Sequence, residues 1–310
     1  MNRFGWTRHL RHLRRVRQLV VLGVVLALTA VVIPPATVRE APTSLVKVQS
    51  VHGIDHEPHV IWILALGSDA RPGQAVLGSR ADAIQLVGVN TKTGAATAIG
   101  IPRDSYVNIP GHGRNKINAS MLYGGPQLMA RSVAGMVGIR PDYVFTTGFL
   151  GFRAMVQAIG GITVRSRYSF SDPVMPGGYR VGKNKLNGMQ ALIFSRIRKS
   201  FPRGDFDRSA NQQRTLVGIL REVRSKADQP GFMERALFSV VRNMNTNLPP
   251  SELFVLAQAL TQIKPSKFKG CVISGGTGYV GAASVVFPNI GQARSIAHRA
   301  RKDATLNGRC

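Results

Sequence analysis

The distribution of apolar positions separates one long run near the N-terminus from everything that follows. Leu19 to Ile33 holds only apolar or small residues, follows Arg3, Arg8, Arg11, Arg14, Arg15 and Arg17, and ends at Pro34-Pro35. A membrane-spanning helix needs about 17 to 25 residues, and flanking tolerance extends this run to 19–36. The favoured reading is an uncleaved transmembrane signal-anchor, with 1–18 as a basic cytoplasmic segment. A cleaved signal peptide competes, but Pro34 and Pro35 spoil its small-residue cleavage site. Pro42 to Pro58 lacks sustained periodicity, so 37–58 reads as a tether and 59–310 as the folded region.

Within that region the period changes repeatedly. His59–Leu66 is a continuous apolar run closed by Gly67, the pattern of a strand buried on both faces. Ala83–Val89 and Ala95–Ile101 read as strands joined by a turn at Thr91–Gly94. Helical spacing begins at Asn118 and again at Pro126, running to Val137 before Gly138. Tyr143–Thr147 and Ile162–Arg165 are strand-like and flank a helix over Phe149–Ile159. Ser169 to Gly188 is rich in Gly and Pro and reads as a long loop. Helices are predicted over Gly188–Arg196, Arg208–Lys226, Gly231–Asn243, Pro250–Ile263 and Gln292–Lys302, with a late strand at Lys267–Ile273. Interleaved strands and helices predict an α/β domain whose mixed sheet is covered by helices.

Charge narrows the choice of partner. Lys and Arg number 41 against 15 Asp and Glu, a net charge of +26. The first 40 residues hold seven Arg and one Glu, so the remainder keeps 34 basic against 14 acidic residues. Such a field attracts polyanions of any kind. Nucleic acid, anionic lipid headgroups and phosphate-bearing cell-wall polymers would all satisfy it, and with the Arg cluster held inside everything after residue 40 faces outward, which argues against nucleic acid. The two cysteines, Cys271 and Cys310, fit one disulfide in an exported domain; two unpaired thiols are the alternative.

Three clusters of chemistry-bearing residues sit at strand ends, where reacting groups are commonly displayed. Gly67-Ser68-Asp69-Ala70-Arg71 follows the first strand, Arg80-Ala81-Asp82 precedes the second, and Pro102-Arg103-Asp104 follows the third. Asp69 and Asp82 could converge on a hard divalent cation completed by substrate phosphate; a local cap at Asp69 and an Asp82–Arg80 surface pair are the plainer options. Arg103 suits bidentate capture of phosphate oxygens. Further on, Arg196-Ile197-Arg198, Gly204-Asp205-Phe206-Asp207-Arg208 and Gln212-Gln213-Arg214 could form a pyrophosphate clamp, or simply a solvated helix face. A Walker-type loop is absent, and Leu66-Gly67-Ser68-Asp69-Ala70 lacks the second glycine of a hydrolase elbow.

Taken in order with Lys116-Ile117-Asn118-Ala119 and Gly124-Gly125-Pro126, these motifs resemble the LytR-CpsA-Psr family of cell-wall ligases between about His59 and Arg214. The resemblance implies an α/β/α sandwich with a mixed central β-sheet, preceded by one N-terminal transmembrane helix. It implies transfer of a glycopolymer from a polyprenyl-pyrophosphate carrier to a peptidoglycan sugar hydroxyl, outside the bacterial cell membrane. A pyrophosphatase at the same site, and a non-catalytic binder of lipid-linked polymer, are the alternatives. By position Asp69 and Asp82 match the metal-associated aspartates, for Mg²⁺ or Mn²⁺. Arg80, Arg103, Arg196, Arg198, Arg208 and Gln212 match the pyrophosphate-binding set. Arg103, Asp205 and Arg208 would carry catalysis, Asp205 by orienting Arg208 or as the base. The chain departs from the family at Ala81 and Ala83, where small hydroxyl residues are usual.

Overall fold

A computed structural model describes residues 41–48, 59–71, 73–232, 244–306 and 310. The basic segment 1–18 and the anchor 19–36 lie outside these residues. So does most of the helix expected over Gly231–Asn243. Among the described residues no helix is long and apolar enough to cross a membrane.

The chain enters the fold earlier than its patterning suggests. Strand β1 (Thr43–Lys47) is hydrogen-bonded inside the sheet, with Thr43 and Ser44 buried, so the tether reading of 37–58 fails over this stretch. Five residues are too few to show an alternation, which is why the strand escapes the periodicity. Next come β2 (Val60–Ser68), β3 (Ala81–Asn90) and β4 (Ala96–Gly100), an antiparallel meander. A small hairpin follows, β5 (Tyr106–Ile109) and β6 (Gly113–Lys116), then helix α1 (Ala119–Val137) and strand β7 (Tyr143–Thr147). Helix α1 is broken at Gly124-Gly125 before Pro126, matching the two helical starts in the sequence. Gly125 sits at φ +60°, where a side chain would be strained.

Helix α2 (Phe149–Ala158), strands β8 (Ile162–Ser166), β9 (Phe170–Asp172), β10 (Met175–Tyr179) and β11 (Gly182–Leu186), and helix α3 (Gly188–Arg196) form a side module. The stretch expected to be a long loop is thus two short pairings, β9 with β10 and β8 with β11. Gly177 and Gly178, both at positive φ, lie within β10 where its register against β9 shifts. Helix α4 (Asp205–Lys226) precedes β12 (Met244–Thr246), α5 (Pro250–Thr261), β13 (Phe268–Val272), the hairpin β14 (Gly275–Val280) and β15 (Ala283–Pro288), and α6 (Ile290–Ala300).

The central sheet has seven strands in the order β12-β1-β7-β2-β3-β4-β13, with three parallel and three antiparallel pairings. On one face Leu64, Leu66, Ile84, Leu86 and Ile99 pack with Met129, Val133, Ile296 and Ala297 from α1 and α6. Trp62 lies flat over Gly88, where a Cβ would collide with its ring. The opposite face packs Val87 and Val89 against Leu220 of α4, and Leu45 and Ile61 against Leu253 and Leu256 of α5. Helices therefore cover both faces of a mixed sheet. The side module has its own aromatic core, with Phe170 stacked on Tyr179 at 4.3 Å and edge-on to Phe201 at 5.3 Å. Cys271 of β13 forms a disulfide with Cys310, as the cysteine count suggests.

Candidate active site

The antiparallel meander brings three strand ends to one end of the sheet. Strand β2 finishes there, β3 begins, and β4 finishes, so residues distant in sequence meet. The β2–β3 pairing runs Gly67 to Ala83 and then Ser68 to Ala81, a bulge that leaves Asp82 as the extra residue. Beyond it the Asp69 N–H donates to the Arg80 carbonyl at 3.0 Å. The two aspartates predicted to share a metal thus stand at paired ends of neighbouring strands. Arg80 itself is exposed.

Arg103, just past β4, is the hub. Its Nη1 pairs with Asp82 Oδ1, its Nε lies 3.7 Å from Asp104 Oδ2, and its backbone N–H donates to Asp205 Oδ2 at 3.2 Å. The Asp82 partner is therefore Arg103, not Arg80. Burial by itself depresses the Arg103 guanidinium pKa, but Asp82, aided by Asp104 and Asp205, raises it above its ordinary value. Lys116 Nζ reaches Asp104 Oδ1 at 3.2 Å, so Asp104 is divided between two cations.

Helix α4 supplies the opposite wall. Asp205 in its first turn pairs with Arg208 one turn later, favourably placed for the helix dipole. Burial is the main influence on Asp205 and lifts it above the usual carboxylate range; Arg208 and Arg103 pull it down, while Asp104 pushes it up. Burial likewise lowers Arg208, opposed by Asp205 and reinforced by the nearby guanidinium groups of Arg103 and Arg198. One buried donor in this group is unsatisfied: Arg103 Nε donates no hydrogen bond, whereas Asp205 Oδ1 is taken up by its ion pair with Arg208. Guanidinium groups held together with a spare donor form a receptor for a multiply charged oxyanion.

The structure does not gather every predicted residue equally. Arg196 turns its guanidinium over the Phe149 ring, 4.2 Å from its centroid. Gln212 is committed to protein, its carbonyl accepting from Gln85 Nε2 at 3.0 Å and its amide donating to the Ser195 carbonyl at 3.3 Å. It thereby fixes α4 against both β3 and α3.

Around Gln212 lies a buried amide network that the sequence reading missed. Gln85 Nε2 also donates to Ser209 Oγ at 2.9 Å. Gln213 Nε2 donates to Gln85 Oε1 at 3.1 Å and to the Cys271 carbonyl at 2.8 Å. Gly100 and Gly270 leave room for it, since a Cβ on either would collide with Ser209 or Gln213. The available signal was Gln85 itself, a polar residue inside the otherwise apolar strand Ala83–Val89.

As donors, Asp69 and Asp82 are hard oxygen ligands suited to Mg²⁺ with substrate phosphate completing the shell. Among the described residues no group of three or more His, Cys, Asp or Glu is placed to hold a metal alone.

A model of the LytR_cpsA_psr family matches residues 24–302. The polyisoprenyl-teichoic acid–peptidoglycan teichoic acid transferase TagU of Bacillus subtilis (strain 168) is 35% identical over 216 residues, 67% of this chain and 68% of that protein. The transferase of the same name from Enterococcus faecalis is 31% identical over 215 residues, 67% of this chain and 69% of that protein. The structure of TagT bound to LI-WTA superposes with a TM-score of 0.66 at 26% identity, covering 83% of this chain and 96% of that one. With the strand-end motifs assembled at one site and the family model spanning most of the chain, this protein belongs to the LytR-CpsA-Psr family.

Proposed function

We propose that this chain is a phosphotransferase of bacterial cell-wall assembly, anchored in the cytoplasmic membrane by 19–36 and acting outside it. It moves a glycopolymer from a polyprenyl-pyrophosphate carrier to a sugar hydroxyl of peptidoglycan. The observation that carries this reading is the packing of Arg103 and Arg208 against Asp82 and Asp205 at the sheet end, with Arg198 close by. The names of the relatives, teichoic acid transferases acting on peptidoglycan, support it.

The arginines would bind the non-bridging oxygens of the pyrophosphate and neutralise the charge that builds on the leaving phosphate. Asp205 holds Arg208 in place. The acceptor hydroxyl oxygen attacks the phosphorus next to the polymer and loses its proton to solvent. The bond from that phosphorus to the bridging oxygen breaks, and polyprenyl phosphate departs with the electron pair. Asp69 and Asp82 would hold Mg²⁺, which when bound supplies further charge neutralisation at the phosphate oxygens. Catalysis would come mainly from positioning and preorganised charge.

The test is to incubate full-length protein in detergent with Mg²⁺, a synthetic polyprenyl-pyrophosphoryl saccharide and peptidoglycan oligomers. Wild type should transfer the glycan, and Arg103→Ala and Asp82→Ala should each lose at least about a hundredfold in rate, the scale seen when one preorganised charge is removed. Free sugar phosphate without transfer would establish a pyrophosphatase instead. Donor binding without turnover would establish a binder.

A further inference from the structure

Strand alternation in the β5–β6 hairpin buries Val107 and Ile109 and turns Tyr106 and Asn108 outward. The register pairs Tyr106 with Lys116 and Asn108 with Arg114, so all four share one outward face. Arg114 lies over the Tyr106 ring, 5.2 Å from its centroid. On the ring's other neighbour, Phe287 of β15 meets Tyr106 edge-on at 6.3 Å. Phe287 remains 43% exposed and rests on Gly278. Gly276, paired with Phe287, has nothing within 4 Å of where a Cβ would stand. The result is an open shelf with two aromatic rings and a cation at its edge.

This shelf is keyed to the catalytic arginine. The Val286 N–H donates to the Asp104 carbonyl at 2.9 Å, and Ser105 bridges to Val286. Lys116, on the shelf side of β6, holds the Asp104 carboxylate, and the Asn118 N–H donates to the Arg103 carbonyl at 3.2 Å. Anything lying across Tyr106 and Phe287 is therefore fixed relative to Arg103 by backbone hydrogen bonds.

We infer that the Tyr106–Arg114–Phe287 shelf binds the acceptor: an amino-sugar glycan strand whose rings lie on the aromatic faces and whose peptide carboxylates meet Arg114. The inference rests on the transfer reading and adds the place where the second substrate binds. Composition favours this occupant. In a chain of net charge +26, the β14–β15 hairpin from Gly275 to Pro288 carries no charged residue. A phosphate-rich polymer or anionic lipid surface would be met by cations, as at Arg196 and Arg198. A weakly charged sugar ring, with apolar C–H faces, suits exposed aromatic rings.

The experiment measures binding directly, without turnover. Full-length wild type, Phe287→Ala, Tyr106→Ala, Tyr106→Phe and Arg114→Ala are titrated with uncrosslinked amino-sugar oligomers, with and without peptide stems, and separately with the lipid-linked donor. Phe287→Ala and Tyr106→Ala should each weaken oligomer binding at least fivefold, Tyr106→Phe should restore it, and donor binding should be retained. Arg114→Ala should weaken only oligomers with stems. Gly276→Glu, which adds bulk and charge over the shelf without entering the core, gives the same answer should Phe287→Ala fold poorly. Unchanged oligomer binding in the alanine and Gly276→Glu variants overturns the inference. So does a loss confined to the donor. If oligomers bind as stated while wild type transfers nothing, the shelf stands and the transfer reading falls.

Discussion

An arginine taken out of water keeps its charge, and burying that charge is costly unless a carboxylate accompanies it; at position 208 that carboxylate is Asp205. Removing one member of such a buried pair costs about 3–5 kcal/mol, because the other is left uncompensated. Arg208→Met should therefore abolish transfer and also destabilise the fold by roughly that amount. Adding Asp205→Asn should recover much of the stability and none of the activity, as denaturant unfolding of the two singles and the double will show. The same pair sets a pH limit. Burial raises Asp205, so it takes up a proton at higher pH than an ordinary aspartate and releases Arg208 there. Activity should fall on the acid side through a pH above the usual carboxylate range, and a pH–rate profile of Asp205→Asn should lack that limb. The stability linkage has the opposite sign. A raised carboxylate makes the folded state bind its proton more tightly, so this group's stabilising share is full below the unfolded value and lost as pH rises through the folded one.

At the scale of elements, the consequential contact is between α4 and the sheet. Gln213 ties the helix to β3 and to the Cys271 carbonyl of β13, and Gly100 and Gly270 make space for the network. Gln213→Leu keeps roughly the volume but removes the donor to Gln85 Oε1 and to the carbonyls of Ala98 and Cys271. It should cost about 1–3 kcal/mol for each buried group left without a partner. Gly270→Ala should act through the same contact by displacing Gln213. Thermal denaturation will report both, and transfer should fall with them because Arg208 and Gln212 ride on the same helix. This network also shows what a sequence discloses. Strands β2, β3 and β4 were legible because both of their faces are buried, leaving continuous apolar runs. Asp69, Asp82 and Arg103 stood out as candidates because charge at the mouth of an apolar strand is conspicuous, and the structure brings Asp82 and Arg103 into contact. The commitment of Arg196 to Phe149, of Asp82 to Arg103 and of Gln212 to Gln85 was not, since each depends on which elements pack together. The hairpins β5–β6, β9–β10 and β14–β15 were missed because short, glycine-rich strands give neither a run nor an alternation long enough to count.

For the molecule as a whole, both edges of the central sheet are parallel pairings, β1 with β12 and β4 with β13. Parallel neighbours cannot be joined by a tight turn, so each edge depends on a long connection. On the first edge, β1 arrives from the N-terminal side and sits between β7 and β12. Deleting 43–47 should therefore leave β7 unpaired on one side and β12 detached, giving an aggregation-prone protein, whereas a true tether would shorten without harm. Solubility and cooperative unfolding of the deletion distinguish the two. The second edge is fastened by the Cys271–Cys310 disulfide, which closes a loop with a sequence separation of 39. On the chain-entropy account a loop of that size stabilises the fold by about 4 kcal/mol. Its loss has a further route to the site, because Gln213 hydrogen-bonds the carbonyl of Cys271 itself. A reductant should lower the melting temperature of wild type and reduce transfer at temperatures approaching it. The double variant Cys271→Ser, Cys310→Ser should start at the lower melting temperature and show no response to reductant. A reductant effect on transfer well below the melting temperature would show that the bond acts through α4 and Arg208 as well as through the unfolded chain.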